Sequence, residues 1–471
     1  MLKRLLITPP LAIARLGSSE VPLECYHWGA NDDRPRGTGK TTILPAETLR
    51  IGCDGSVSSY MPGAIQFKDG DKYRPVCPFF ELHGEWESDG KTQQGPLTKG
   101  LLDQWGFSID QLCWEVHAGN LKPFHMTGED DCRIEARLEL SGDNTAPTEL
   151  LAASPVDAAQ PLIQDGKSIS LGTIRLTKPT ESFPKLRLRF IPAKGKFYGP
   201  PDLETRWEGI EVCKEQLVIN EKSAWVGFGF KPGEQGRTAP GGLFAVDKDR
   251  KSVGMVDDVC DAIIKCSIPG SDIESGYARV TVSPPDYAPD RRHLISIADA
   301  LKDHTDRLEV WEPDYVAQDS TDAEIQDLFE RIWETIGLMN VDVFNNRVDV
   351  QENPATAFAR GIPYNTNDHY AFEPTKPSVT GTGEEYPLSQ RGRQIHRRMI
   401  SIEILKDMFR ENPDLIEEWI RAPGANNGFF TKQMPPVMRD SSGGPLHLTR
   451  RQYDLLRNWV LHLRKDIEEN T

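Results

Sequence analysis

The run Gln433-Met-Pro-Pro-Val-Met-Arg-Asp440 is followed, across a Gly443-Gly444 pair, by Leu446-His-Leu-Thr-Arg-Arg-Gln-Tyr-Asp-Leu-Leu-Arg-Asn-Trp459. Two adjacent prolines remove backbone donors and disfavour helix, so the first run predicts an extended segment. In the second run, Thr449 and Gln452 have the spacing of a capping box, which predicts that a helix begins there. Apolar residues then recur at helical spacing as far as Leu463. We therefore expect the sequence to end in a helix that docks on the body of the protein.

The sequence before this helix contains two kinds of pattern. From Met1 to about residue 290, short alternating segments separated by Gly, Pro and Asp predict strands. After residue 290, apolar residues recur at i, i+3 and i+4, as at Ile325, Leu328 and Phe329, and this spacing predicts helices. The predicted fold class is therefore α+β, with a β-rich N-terminal portion and a mainly helical C-terminal portion. We place the regions at residues 1–145, 146–290 and 291–471.

The composition limits the classes of partner. A chain of 471 residues is long enough for two or three packed domains. Its net charge of -16 and pI near 5.2 argue against binding to nucleic acid or to an anionic membrane. No apolar run approaches the roughly 20 residues that cross a bilayer, and Pro9 and Pro10 interrupt the apolar N-terminus. We predict a cytoplasmic protein with reduced cysteines and with small molecules or proteins as partners; homo-oligomerisation stays open.

Candidate ligand-binding residues lie in the run Cys113-Trp-Glu-Val-His-Ala-Gly-Asn-Leu-Lys122. Trp114, Val116 and Ala118 alternate with polar residues, which predicts a half-buried strand. His117 and Lys122, five residues apart at the strand end, could bind an anionic group. The alternative is a histidine that is hydrogen-bonded to its surroundings and a solvated lysine.

An acidic cluster follows in Gly254-Met-Val-Asp-Asp-Val-Cys-Asp261. Asp257, Asp258 and Asp261 could hold an ammonium group or a divalent cation. The alternative is a turn that merely solvates its carboxylates. No His or Cys pair has metal-ligand spacing, so we predict no metal site.

Taken together, these motifs resemble the LodA-like family, the homologues of L-lysine 6-oxidase and glycine oxidase that carry a cysteine tryptophylquinone. The resemblance rests on the two C-terminal runs, on the run from Cys113 to Lys122, and on Gly276-Tyr-Ala-Arg-Val-Thr-Val-Ser-Pro-Pro-Asp-Tyr-Ala-Pro289. It extends over nearly the whole chain and implies a LodA-like scaffold. The candidate ligand-binding residues are then His117, Lys122, Asp257, Asp258, Tyr453 and Trp459.

The activity that this resemblance implies depends on a cofactor. In the family, a primary amine is oxidised by a quinone that is built from a Trp and bridged to a Cys, and a flavoprotein partner assists its maturation. The segments associated with that cofactor are not found in these 471 residues, which end twelve residues after Trp459. Side chains alone cannot accept a hydride equivalent. The oxidase activity therefore does not follow from the resemblance alone.

Three hypotheses follow. The favoured one is a truncated homologue without its own cysteine tryptophylquinone that binds a small amine or amino acid, or a protein partner such as a flavoprotein. The second is an amine or amino-acid oxidoreductase whose cofactor is formed from Trp459 or another Trp with one of the eight Cys, or is supplied as a metal or flavin. The third is a non-redox enzyme acting on an amino acid or peptide in a biosynthetic pathway. Catalytic residues and the cofactor stay unassigned.

Overall fold

In a computed structural model, the structure describes residues 2–31, 41–88, 90–206, 212–229, 245–249, 251–285, 292, 294–316, 319–336, 401–425 and 447–470. Its strands are β1 (Leu2–Thr8), β2 (Leu11–Arg15), β3 (Tyr26–Asn31), β4 (Thr41–Pro45), β5 (Thr48–Ile51), β6 (Val57–Tyr60), β7 (Lys68–Asp69), β8 (Lys72–Tyr73), β9 (Phe79–Ser88), β10 (Lys91–Pro96), β11 (Cys113–Asn120), β12 (Ile134–Ser141), β13 (Thr148–Ala152), β14 (Ile169–Leu176), β15 (Arg187–Pro192), β16 (Phe197–Tyr198), β17 (Val256–Asp257), β18 (Asp261–Ser267) and β19 (Gly276–Ser283).

The α-helices of the described residues are α1 (Lys99–Gln104), α2 (Lys122–Thr127), α3 (Leu203–Arg206), α4 (Ile297–Thr305), α5 (Pro313–Val316), α6 (Asp319–Ile336), α7 (Ile402–Glu411), α8 (Leu415–Trp419) and α9 (Arg450–Asn470). Most strands precede residue 290 and the long helices follow it. The predicted α+β class, with a β-rich N-terminal and a helical C-terminal portion, is confirmed.

Two sheets build the β-rich part. The six-stranded sheet has the order β1-β9-β15-β14-β13, with β10 paired to β9. The five-stranded sheet has the order β12-β11-β18-β19-β2, and its strands are antiparallel except for the parallel pair β19 and β2. Strands from before and after residue 145 pair in both sheets, because β9 lies beside β15 and β11 lies beside β18.

The strands pack because their apolar residues alternate. In β19, Ala278, Val280 and Val282 are buried, while the residues between them face outward. Inward-facing residues of both sheets, including Phe80 and Phe190 of the six-stranded sheet, belong to one hydrophobic cluster. Each Å² of buried apolar surface stabilises the folded state by about 25 cal/mol. This cluster is therefore the main stabilising feature of the β-rich part.

The helical part has its own hydrophobic cluster, and α9 lies in it. The backbone N–H of Gln452 donates to the Thr449 hydroxyl at 3.1 Å, and the Thr449 N–H donates to the Gln452 side chain at 3.0 Å. The predicted capping box is therefore confirmed. Leu455, Leu456 and Leu463 are buried on one face of the helix. The extended run 433–440 lies outside the described residues.

The chain divides into two compact units. The first comprises residues 1–27 with 44–287, and the second comprises 28–43 with 288–471. Among the described residues, no helix is both long and apolar enough to span a membrane.

Candidate functional site

Strand β11 carries the first candidate site residue. Its side chains alternate between core and surface, with Trp114 and Val116 buried, so the predicted half-buried strand is confirmed. His117 points to the outer face, where 42% of its side chain is exposed, and its Nε2 lies 3.2 Å from a carboxylate oxygen of Glu135 on β12. The histidine is therefore held by a neighbouring strand and still accessible.

An open groove of about 580 Å³ lies on the outer face of the five-stranded sheet. This volume is within the range of roughly 300–1,000 Å³ that is common for small-molecule sites. One row of residues crosses its floor, each opposite the next on adjacent strands: His117, Ile263, Arg279 and Leu11. Ile263 is 37% exposed and Leu11 is 40% exposed. This row therefore combines a guanidinium with accessible apolar surface.

A second row places carboxylates on either side of a glycine. Gly119 pairs with Glu135 on β12 and with Asp261 on β18. Because neighbouring strands are about 4.8 Å apart, the backbones of the two acids lie about 10 Å apart. A Cβ at Gly119 would approach no atom more closely than 3.5 Å. The side chain of Leu121 and the carbonyl of Ile134 lie at van der Waals distance over Gly119, between the two carboxylates.

Asp261 and Arg279 are oppositely charged, exposed, and located on adjacent strands. Asp261 is opposite Thr281 and Arg279 is opposite Ile263, so the two charges are diagonal neighbours, with a typical separation of about 7–8 Å between such positions. Among the described residues, neither side chain forms an ion pair or a hydrogen bond. Arg279 was not predicted as a site residue, because only the strand register brings it beside Asp261.

A buried polar network closes one end of the groove. The Lys122 Nζ lies 2.5 Å from Oδ2 of Asp257, and the side-chain amide of Asn120 donates to Oδ1 of the same carboxylate at 3.1 Å. Asp257 is 5% exposed, and Lys122 lines the groove. The structure thus brings together two of the predicted site residues. The ammonium group that contacts the acidic cluster is that of Lys122, a residue of the protein itself.

Asp258 lies on the core side of the same segment. Its Oδ2 accepts the backbone N–H of Lys196 at 2.8 Å, whereas its Oδ1 is buried and has no hydrogen-bond partner among the described residues. Burial, together with the neighbouring Asp257, raises the pKa of the Asp258 carboxyl to about 7. Asp258 is 1% exposed and does not line the groove. Ligand binding by this residue stays a prediction.

Tyr453 and Trp459, the two candidates in the second compact unit, lie on α9. Trp459 is 1% exposed, donates its Nε1 hydrogen to Asp322 at 2.9 Å, and contacts the ring of Phe409 edge-on at 6.1 Å between centroids. Tyr453 is partly buried against the same helical cluster, and this burial raises the pKa of its hydroxyl. Packing accounts for both positions, and a role in ligand binding stays a prediction.

Cysteine thiolates and carboxylates are potential ligands for a metal ion. Within the described parts of the chain, no three His, Cys, Asp or Glu side chains converge so that they could hold a metal ion. The eight cysteines are free thiols. Burial raises the pKa of the Cys77 thiol to about 11, so this cysteine is a poor nucleophile at neutral pH.

Comparison with known proteins gives matches among solved structures. No family model matches the chain, and no curated protein matches it. Three structures of the L-lysine epsilon-oxidase from Marinomonas mediterranea, one of them a Schiff base intermediate with L-Lys, match it with 16%, 15% and 14% sequence identity and TM-scores of 0.44, 0.45 and 0.46. The match covers 98%, 97% and 97% of this chain and 61%, 60% and 60% of the oxidase chains. The chain therefore spans about three fifths of their length. Similarity at this level carries no information about substrate or cofactor.

Proposed function

We propose that this protein binds a small amine or amino acid in the groove on the outer face of the five-stranded sheet. The observation that carries the proposal is the pair Asp261 and Arg279, two accessible charges of opposite sign on adjacent strands, neither of them paired within the described residues. A free amino acid is a zwitterion with the complementary arrangement. Its ammonium group binds Asp261 and its carboxylate binds Arg279.

The surroundings of the pair fit such a ligand. Arg279 can bind a carboxylate with two parallel N–H donors, which is the geometry that guanidinium groups favour. Asp261 is exposed and lines the groove, so its carboxylate can accept hydrogen bonds from an ammonium group. Ile263 offers an apolar contact for an aliphatic chain. The groove therefore contains a partner for each part of an amino acid with a flexible side chain.

The proposal joins this groove to the LodA-like scaffold that the sequence motifs imply. We propose that the chain binds the ligand and has no cysteine tryptophylquinone of its own. In this form, the protein holds an amine or amino acid without oxidising it. Expected ligands include L-lysine and glycine, which the resemblance suggests as the first compounds to test.

Isothermal titration calorimetry of the full chain with L-lysine and glycine tests the proposal. We expect binding of at least one amino acid to the wild type. Asp261→Asn and Arg279→Gln should each weaken it about tenfold or more, since a hydrogen bond to a charged group contributes about 1.5–3 kcal/mol. A wild type that binds neither ligand at millimolar concentration would overturn the proposal.

A matched control lies on the same face of the sheet. Lys265 on β18 pairs with Glu115 at 2.5 Å and does not line the groove. Lys265→Gln therefore removes a charge from the same strand as Asp261 without touching the binding pair. It should leave the affinity for the amino acid unchanged. Equal losses in Lys265→Gln and Asp261→Asn would indicate a general electrostatic effect and would count against the groove.

The alternative function is that of an oxidase whose cofactor is formed from another Trp and a Cys. Trp114 of β11 is directly opposite Cys266 of β18, and both are buried in the core, with 2% and 0% exposure. A cross-link at this pair would be out of reach of a substrate. Intact mass and visible absorption of protein from its native host decide the point. We expect the mass of the unmodified sequence and no quinone band.

A further inference from the structure

Two arginines face each other on the outer face of the six-stranded sheet. Arg175 of β14 and Arg189 of β15 are direct cross-strand partners in the antiparallel register. Like charges placed directly opposite each other destabilise a sheet. The chain as a whole carries a net charge of -16, so acidic side chains were abundant as possible partners. The pairing of two guanidinium groups therefore calls for a physical explanation.

Neither arginine has a carboxylate partner in the part of the chain that the structure describes. Arg175 donates from Nη2 to the backbone carbonyls of Gly52 and Cys53, at 2.6 and 3.1 Å. Arg189 is 8% exposed, and its guanidinium lies over the ring of Phe79, 4.5 Å from the centroid. The Nε atoms of both arginines are buried and have no hydrogen-bond partner in the described ranges. Each of the two cross-strand guanidinium groups therefore keeps a buried donor that no described residue satisfies.

The described groups around Arg189 do not neutralise the positive charge of its guanidinium. Burial lowers the pKa of this guanidinium, and Arg175 acts in the same direction, while the thiol of Cys77 and the hydroxyl of Tyr60 oppose it. Burial raises the pKa of the Cys77 thiol to about 11, so this thiol is neutral at pH 7. Isolated charges are costly to bury unless they are paired. Arg189 therefore lacks a counter-charge among the residues that the structure describes.

A neighbour on the same strand shows the contrast. Arg187 is two residues from Arg189 and on the same face, and it is 7% exposed. Its guanidinium pairs with the carboxylate of Glu81 at 2.8 Å, and Lys185 binds the same carboxylate at 3.0 Å. The sheet therefore supplies an acid to one buried arginine and none to the other.

We propose that Arg175 and Arg189 form a binding site for an oxyanion of the phosphate type. Two adjacent guanidinium groups match a dianion in charge, and each presents planar N–H donors that suit phosphate oxygens. Arg50, whose guanidinium lies 4.3 Å from the centre of the Tyr60 ring, adds a third positive charge to this side of the unit. The site is separate from the groove, and it does not depend on the amino-acid proposal.

Titration of the full chain with inorganic phosphate, at an ionic strength held constant with potassium chloride, tests the site. We expect saturable binding to the wild type. Arg189→Met keeps an unbranched side chain over Phe79 and removes the charge, so it should weaken phosphate binding at least about tenfold. Phenyl phosphate, titrated in parallel, distinguishes the source of the group: binding of both supports a site open to phosphomonoesters, and binding of phosphate alone supports a site for the free ion.

The matched control is Arg187→Met, which removes a buried arginine of the same strand and face that already has Glu81 as its partner. It should leave phosphate affinity unchanged. Melting without phosphate gives a second readout, because removing an unpaired buried charge should leave Arg189→Met at least as stable as the wild type. No phosphate binding by the wild type, or equal losses in the two variants, would overturn the site.

Discussion

Replacing Asp258 by asparagine should change how the stability of the β-rich unit depends on pH. Asp258 is 1% exposed, its Oδ2 accepts the Lys196 N–H at 2.8 Å, and its Oδ1 has no hydrogen-bond partner in the part of the chain that the structure describes. Burial, followed by the charge of Asp257, raises its pKa from 3.8 to about 7. Asparagine keeps an oxygen for the Lys196 amide and cannot ionise. The substitution therefore resembles the protonated acid at every pH.

The direction of the pH dependence of stability follows from the number of protons that the folded and unfolded states bind. Between about pH 4 and pH 7, the unfolded chain has lost the Asp258 proton while the folded protein keeps it, so the folded state binds more protons and its stability falls as pH rises. The free energy of unfolding is therefore highest below about pH 4, where Asp258 is protonated in both states, and this contribution is lost as the pH rises to about 7. The rise of the Asp258 pKa from 3.8 to about 7 corresponds to roughly 4 kcal/mol of stability. Asp258→Asn should recover most of this at pH 8 and none at pH 4.

Hydrogen exchange measured by mass spectrometry on peptides from β17 and β18 reports the local stability of this segment across the pH range, once intrinsic exchange rates are corrected. Asp272→Asn, an exposed carboxylate in the turn between β18 and β19, is the control and should follow the wild type. The reasoning is refuted if Asp258→Asn loses protection at pH 8, or if its difference from the wild type does not change between pH 4 and pH 8.

Three further substitutions test other contacts by urea unfolding. Trp459→Ala should destabilise the helical unit by about 3–5 kcal/mol because it opens a buried cavity. Its control, Trp311→Ala, removes an indole that is 41% exposed and should cost far less. Similar losses in the two variants would argue against the assigned packing. Thr449→Ala should cost about 1 kcal/mol through the lost cap of α9, and an unchanged midpoint would contradict the capping role. Lys122→Met should cost about 1.5–3 kcal/mol because it removes the charged hydrogen bond to the buried Asp257, and the double variant with Asp257→Asn should lose less than the two single losses summed. A double variant that is as unstable as that sum would show that the pair is not coupled.

Local features of the fold were predictable from the sequence because they depend on neighbouring residues. The capping box of Thr449 and Gln452 is read from two residues three apart, and the structure contains both of its hydrogen bonds. The half-buried character of β11 follows from the alternation of Trp114 and Val116 with polar residues. Periodicity also separated the strands before residue 290 from the helices after it. These patterns act over one or two turns and need no tertiary information.

The site depended on contacts that a sequence does not specify. Lys122 and Asp257 are separated by 135 positions, and only the packing of β17 against the end of β11 brings them together. Asp261 was visible as a member of an acidic cluster, but its neighbour Arg279 depends on the register of β18 and β19. A shift of one residue would turn Arg279 towards the core. Cross-strand pairs of this kind are set by the whole sheet.

We propose that Asp261 and Arg279 bind the two charged ends of one amino acid. The direct measurement is calorimetry of both variants with a bound amino acid and with its two half-ligands, the corresponding amine and the corresponding carboxylate. We expect Asp261→Asn to weaken binding of the amine and leave the carboxylate unaffected, and Arg279→Gln to do the reverse. If both variants lose both half-ligands equally, or lose neither, the two residues do not divide the ligand in this way and the account is wrong.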